Sequence, residues 1–315
     1  TDIGVYFHHH DDSISCILLI YVDDILILSP SKAKIDQFKK DLSKSVDIKD
    51  LGQCKQILGI TVSHERQGIT LSQDNILSQL LTATGMHQST PVAAPMTSSY
   101  YLSRGSPAQP DSNAHQSLSQ TDIKAYQSSI GSLLYVSLGT RPDISFAVSV
   151  LCRSMVAPTV ADQQALRHLL KYIRGTVSHR LYLGTEQSEL SAYSDSSYAD
   201  CKITGRSTAG YVLLYKGGPI EWKSQLQKVV SWSTAESEYM ALSHAAKETQ
   251  CMQGLMREIL VTRPLSIPIY TDNKAALAMA TATASTSRTR HMAVRYHYVR
   301  GLVQAGAVAL HYVST

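Results

Sequence analysis

Ile17-Leu18-Leu19-Ile20-Tyr21-Val22-Asp23-Asp24-Ile25-Leu26-Ile27-Leu28 sets two β-rich apolar runs on either side of a pair of adjacent aspartates. Two such runs separated only by turn formers predict a hairpin, here with two carboxylates at its tip. Carboxylates side by side repel unless a cation neutralises them. Magnesium suits the place, because it prefers hard oxygen ligands and is usually held by one or two carboxylates plus substrate phosphates. Asp is also a favoured turn residue, so on pattern alone an ordinary β-turn is an equal reading.

Outward from the hairpin, residues 31–45 carry Ile35, Phe38 and Leu42 at helical spacing among lysines, which predicts an amphipathic helix. Short strands are expected at 57–62 and 69–71 around Gln67-Gly68, then a helix over 75–84, making an α+β region over 1–96. Residues 97–122, rich in Ser, Pro and Gln, have too little apolar content for a core and predict a linker. Three helices follow in a connection over 123–190: 123–138, 144–155 after the turn Thr140-Arg141-Pro142-Asp143, and 161–174, stopped by Gly175. Over 191–315 the pattern changes to strands at 191–193, 209–215 and 229–232, a long helix over 233–260, a strand at 267–270, a helix from Asn273 and a closing strand at 307–313. That order predicts an α/β domain with a mixed sheet and helices on its faces.

The bulk composition excludes some classes. With 315 residues, 43% of them hydrophobic, the chain has material for about two globular cores. A net charge of +4 tolerates a polyanion without demanding one. The five cysteines are scattered singly, unlike a zinc site or a disulfide framework, which fits a reducing compartment. The run from Ile14 to Val22 is too short to span a bilayer, so no membrane anchor is expected, and Thr1-Asp2-Ile3-Gly4 reads as cut from something longer.

Three further acids stand at telling places: Asp195 at the end of a strand, Glu238 early in the long helix, and Asp272 just after a strand. Acids at strand ends and on a covering helix can converge on one edge of such a sheet and hold a metal pair. Glu236 is the nearest rival of Glu238; two positions apart on a helix, they face different ways, so at most one reaches the metals. Arg167, Lys171 and Arg174 recur at helical spacing and offer a basic stripe to backbone phosphates, with a plain solvated face as the alternative. His291 and His297 offer two imidazoles to a metal on a helix, but no acidic third ligand lies near them in sequence.

Tyr21-Val22-Asp23-Asp24 between apolar strands, followed by Asp47-Ile48-Lys49-Asp50-Leu51-Gly52, Leu58-Gly59-Ile60, Leu71-Ser72-Gln73 and Thr90-Pro91, resembles the palm and thumb of copia-type reverse transcriptases. Ile130-Gly131-Ser132-Leu133-Leu134-Tyr135, Thr140-Arg141-Pro142-Asp143-Ile144 and Lys171-Tyr172-Ile173-Arg174-Gly175-Thr176 resemble the connection that follows in the same elements. Tyr193-Ser194-Asp195, Ser207-Thr208-Ala209-Gly210-Tyr211, Trp222-Lys223-Ser224, Ser233-Thr234-Ala235-Glu236-Ser237-Glu238-Tyr239 and Tyr270-Thr271-Asp272-Asn273 are similar to their ribonuclease H. The resemblance covers nearly the whole chain. It implies a truncated reverse-transcriptase palm and thumb over 1–96, and a ribonuclease H-like domain with a mixed five-stranded sheet over 191–315, lacking its final helix.

By matched position the resemblance makes Asp195, Glu238 and Asp272 the metal ligands and catalytic acids of an endonuclease that cuts the RNA strand of RNA:DNA hybrids. Tyr239-Met240-Ala241-Leu242 favours Glu238 over Glu236, because it matches the run after that family's catalytic Glu. Asp23 and Asp24 become polymerase ligands, with Leu58-Gly59 near the primer-contacting hairpin. The implied cofactor is Mg2+, with Mn2+ as substitute. Arg288, Arg290, Arg295 and Arg300 are expected phosphate contacts, and Ser194, Ser196 and Asn273 expected ribose contacts. The implied partners are the hybrid, the rest of the Pol polyprotein with the missing palm and fingers, integrase and capsid. The implied place is the cytoplasmic virus-like particle, with the nucleus as alternative, in a life cycle ending in DNA integration. This chain departs from the family at Asp162-Gln163, where His-Trp is usual, and at Ala293, where Asp is common. The third polymerase carboxylate lies well upstream in the family, so no polymerisation by this chain alone is expected. A fourth nuclease carboxylate would follow Thr315. The alternative function is a catalytically inactive nucleic-acid-binding fragment of a degenerate element.

Overall fold

The computed structural model of the chain describes residues 4–10, 13–103, 116–184, 189–260, 266–281 and 293–314. Its first element is an antiparallel sheet of β1 (Val5–His10), β2 (Ser13–Tyr21) and β3 (Asp24–Leu28), in that order. β2 and β3 form the expected hairpin; the pairing runs from Ile17↔Leu28 to Tyr21↔Asp24 and leaves Val22 and Asp23 as the loop. A two-residue hairpin requires positive φ at its first central position, and Val22 supplies it at φ +54°. A β-branched residue adopts that backbone at a cost, so the carboxylate tip is strained. β1 was not anticipated. α1 (Lys32–Leu42) follows as expected.

β4 (Gln56–Ile57), β5 (Ile60–Glu65) and β6 (Gly68–Ser72) form a meander, and β7 (Leu181–Gly184) adds its edge from far along the chain. Leu58 and Gly59, at φ +50° and +69°, make the tight turn that splits the single strand expected over 57–62. α2 (Asp74–Ala83) contributes Leu77 and Leu81 to a core built mainly by α4 (Gln120–Gly139), α5 (Ser145–Cys152) and α6 (Val160–Thr176). Tyr126, Ile130, Leu133, Leu151, Leu169 and Ile173 fill it. Residues on both sides of the expected linker therefore share one core.

The linker itself folds at both ends. α3 (Ser98–Ser103) lies early in it, where the Tyr100 hydroxyl donates to Asp162 at 2.6 Å and the Tyr101 ring meets Phe146 edge-on at 5.2 Å. Ser117 bridges to Thr159, and residues 104–115 lie outside the described part. Aromatic anchors thus outweigh the polar composition. α6 also runs through Gly175 instead of stopping there. The glycine serves close approach: a Cβ would come within 2.9 Å of the Pro91 side chain.

The last region is the expected α/β domain, a mixed five-stranded sheet in the order β10-β9-β8-β11-β12. β8 (Ser191–Ser197), β9 (Thr208–Tyr215) and β10 (Gly218–Leu226) are antiparallel; β11 (Ile267–Thr271) and β12 (Val308–Tyr312) are parallel to β8 and to each other in turn. The strand expected at 229–232 is a correction: β10 lies earlier, after a turn at Lys216 (φ +52°) and Gly217 (φ +79°), and Val229, Val230 and Trp232 are exposed loop residues. α7 (Thr234–Leu260) buries Tyr239, Met240, Leu242 and Ala246 against Ala192, Leu213 and Ile269, with α8 (Lys274–Thr281) and α9 (Ala293–Gln304) completing the core. This domain is docked on the helical core. Trp222 Nε1 donates to the Ser137 carbonyl at 2.7 Å, and Gly218 lies so close to Tyr182 that a Cβ would sit 2.1 Å from its carbonyl oxygen. Among the described residues no helix is long and apolar enough to cross a membrane.

Candidate metal centre

Strand register brings the first two acids together. β8 and β11 pair in parallel with Tyr193 opposite Tyr270, so two residues further on Asp195 and Asp272 stand side by side. Neighbouring strands lie only about 4.8 Å apart. Glu238 reaches them from the covering helix. Ser196 Oγ donates to Ser237 Oγ at 2.8 Å and Gln227 Nε2 donates to the Ser237 carbonyl at 2.9 Å, which pins the start of α7 against β8. Ligand atoms of Asp195, Glu238 and Asp272 all fall within 4.8 Å of one another.

The electrostatics of this cluster are those of a cation trap. Glu238 is buried, Asp272 half-buried and Asp195 exposed. Burial first, and then the charges of Asp195 and Asp272, push the Glu238 carboxyl up to about 7, against hydrogen bonds from Ser196 that pull it down. Its Oε2 is buried with no hydrogen-bond partner. A buried carboxylate oxygen without a donor costs free energy that a cation would recover, and three hard oxygen donors match magnesium or manganese. The residues present therefore fit a divalent ion. Glu236 is used otherwise: its carboxylate accepts the Trp232 N–H at 2.7 Å and its own N–H donates to Ser233 Oγ at 3.2 Å, capping α7.

Other expected site residues are placed less uniformly. Asp23 and Asp24 sit exposed at the hairpin tip, and among the described residues no third metal-binding side chain joins them. Arg167 and Lys171 line an open groove on α6 with Met86, Ser89, Gln164 and His168. Arg174 is exposed, with Nε donating to the His87 carbonyl at 2.6 Å. Ser194 is buried, on the opposite side of β8 from Asp195, and Ser196 is buried as well. The expected ribose contacts at these two are thus corrected: strand alternation turns them under α7. Asn273 Oδ1 accepts the Ala276 N–H at 2.9 Å as the cap of α8. Arg300, expected as a phosphate contact, is instead buried in α9. Arg288 and Arg290 lie outside the described residues, and Arg295 falls on α9.

Two things were missed in the sequence. Asp162, which departs from the family pattern, is a buried cap: it accepts from Thr159 N at 2.8 Å, Thr159 Oγ1 at 2.6 Å, Ser154 Oγ at 2.7 Å and the Tyr100 hydroxyl. The Thr-x-x-Asp spacing at its helix start was the available signal. Ser237, wedged between Ser196 and Gln227, carries no sequence signal of its own.

A family model described as reverse transcriptase (RNA-dependent DNA polymerase) matches residues 1–98. The retrovirus-related Pol polyprotein from transposon TNT 1-94 of Nicotiana tabacum is 33% identical over all of this chain and 24% of its own length. A putative transposon Ty5-1 protein of Saccharomyces cerevisiae is 31% identical over 78% of this chain and 77% of its own. The chain belongs to the retrovirus-related Pol polyproteins of transposons. It spans about a quarter of the tobacco Pol relative. A foamy viral protease-reverse transcriptase, solved with double-stranded DNA, shares the fold with a TM-score of 0.52 at 13% identity, over 95% of this chain and 46% of the other. The Pol chain thus joins a reverse-transcriptase region over residues 1–98 to an α/β domain with a mixed five-stranded sheet.

Proposed function

We propose that this Pol chain hydrolyses the RNA strand of RNA:DNA hybrids with Mg2+, or Mn2+ in its place, held by Asp195, Glu238 and Asp272, in a copia-type element. The observation that carries this is the convergence of the three acids around a buried carboxylate oxygen that has no donor. Divalent ions bound there would supply Lewis acidity for in-line attack of water on the phosphate and for departure of the 3′ oxygen. The chain's own part is positional. Asp195 and Asp272 are fixed by strand register, and Glu238 by the serine pair and Gln227 beneath it. A Glu238 carboxyl near 7 gives up its proton readily at neutral pH once a cation arrives. Arg167, Lys171 and Arg174 supply a basic face for the hybrid's backbone phosphates.

Asp23 and Asp24 would act as polymerase ligands together with a third carboxylate, which none of the described residues brings to the hairpin tip. The division into palm and thumb, linker, connection and nuclease stands as part of this proposal, as do the virus-like particle and the other Pol products as partners.

The test is cleavage of strand-labelled hybrid, duplex DNA and duplex RNA in Mg2+ and in Mn2+. The wild type should cut only the RNA of the hybrid, and Asp195→Asn or Asp272→Asn should abolish cutting. Hybrid binding without cleavage by the wild type would instead identify an inactive nucleic-acid-binding fragment.

A further inference from the structure

The loop joining β10 to α7, residues 227–233, is fixed from within and apolar without. Gln227 N donates to the Ser207 carbonyl at 2.8 Å, Gln227 Nε2 to the Ser237 carbonyl at 2.9 Å, and Ser231 Oγ to Gln227 Oε1 at 2.8 Å, with Gln227 and Ser231 both buried. The Trp232 N–H is held by the Glu236 carboxylate. Between these anchors Val229 and Val230 are about half exposed and Trp232 is 83% exposed, with Lys228 beside them. Single exposed apolar residues are ordinary, but a pinned loop cannot fold these three back onto the core.

The position of the loop selects its occupant. Gln227 grips Ser237, the residue before Glu238, so the loop and the carboxylate cluster share the first turns of α7. From Thr234 to Glu238 the helix rises about 6 Å, less than two nucleotide steps of about 3.4 Å. β10 ends beside the start of β9 and the end of β8, the sheet edge that carries Asp195, so a duplex seated on the carboxylates and running along that edge lies over the loop.

We propose that Trp232 is a substrate-positioning residue whose indole packs on sugars and base edges in the hybrid's minor groove next to the scissile phosphate, with Lys228 paired to a backbone phosphate. This rests on the nuclease reading above. An A-like duplex offers a wide, shallow minor groove that admits a flat ring, whereas the minor groove of B-form DNA is only about 6 Å wide. Trp232 thereby favours hybrid over duplex DNA.

The experiment is fluorescence titration with a short RNA:DNA hybrid in EDTA, where nothing is cut. The chain has two tryptophans, and Trp222 is anchored on Ser137 at the contact with the helical core. Hybrid should change the emission of the wild type, and duplex DNA should change it less. Trp232→Ala should remove that response, weaken hybrid binding roughly 5- to 100-fold and raise KM with little change in kcat, at an unchanged melting temperature. Trp232→Phe should recover part of the affinity. Equal hybrid affinity for wild type and Trp232→Ala overturns the proposal, whether or not the hybrid is cut. Trp232-dependent binding with no cleavage in Mg2+ or Mn2+ overturns the nuclease reading alone.

Discussion

Replacing Glu238 by Gln should stabilise this chain at alkaline pH in the absence of metal. The carboxyl has an ordinary value of 4.5 and is held at about 7 in the folded chain, first by burial and then by Asp195 and Asp272. Below pH 4.5 both folded and unfolded chains keep the proton, and this group makes stability independent of pH. Between 4.5 and 7 the unfolded chain releases the proton while the folded chain retains it, so stability falls by up to about 1.4 kcal/mol per pH unit. Above pH 7 the whole penalty, about 3 kcal/mol, is present. Gln removes it with little change of shape. Differential scanning fluorimetry in EDTA should show the variant and wild type close together at pH 4.5, and the variant melting roughly 5 °C higher at pH 8. Millimolar Mn2+ should raise the wild type at pH 8 and leave the variant nearly unmoved. A difference that does not grow between pH 4.5 and pH 8 would refute the reasoning.

Three other perturbations probe the scaffold. Arg141 is 2% exposed, with Nε and Nη2 on the Asp143 carboxylate and Nη1 on the Thr176 carbonyl at 2.9 Å. Arg141→Ala removes a buried guanidinium while Asp143, whose side chain is 31% exposed, keeps the Tyr172 hydroxyl, and it should cost about 2–3 kcal/mol in urea denaturation. Burial would raise the Asp162 carboxyl, but hydrogen bonds from Thr159, Tyr100 and Ser154 outweigh it and hold it below 3.8. Its stabilisation is therefore full at neutral pH and lost as the pH falls through that lowered value; Asp162→Asn should cost about 1–2 kcal/mol at pH 7 and progressively less in acid melts. Gly218→Ala drives a Cβ to 2.1 Å from the Tyr182 carbonyl oxygen, and the backbone shift it forces should cost about 1–3 kcal/mol, visible as a lower urea midpoint.

Local signals made most elements legible. The apolar runs around Asp23-Asp24, the helical spacing of Ile35, Phe38 and Leu42, and the long pattern from Ser233 all depend on near neighbours, and each formed where its pattern lay. What escaped depends on distant ones. β7 pairs with β6 across more than a hundred residues, and the ends of the polar linker fold because Tyr100 and Tyr101 find Asp162 and Phe146. Gly175 reads as a helix stop until Pro91 is beside it, and Val229-Val230 reads as a strand until β10 is seen to end before it. In the candidate site, the three acids were marked by their places at strand ends and on the helix, and register explains their meeting. The buried faces of Ser194, Ser196 and Arg300 were not marked, since the side a residue takes is decided by what covers it.

The most direct measurement is Mn2+ binding followed by electron paramagnetic resonance at pH 7.5, comparing the wild type with Asp195→Asn, Glu238→Gln, Asp272→Asn and the double variant Asp23→Asn/Asp24→Asn. If the three convergent carboxylates form one metal site, each of the first three variants loses the tight ion and the hairpin variant keeps it. Mn2+ uptake that is the same in the wild type and all three site variants would contradict the account.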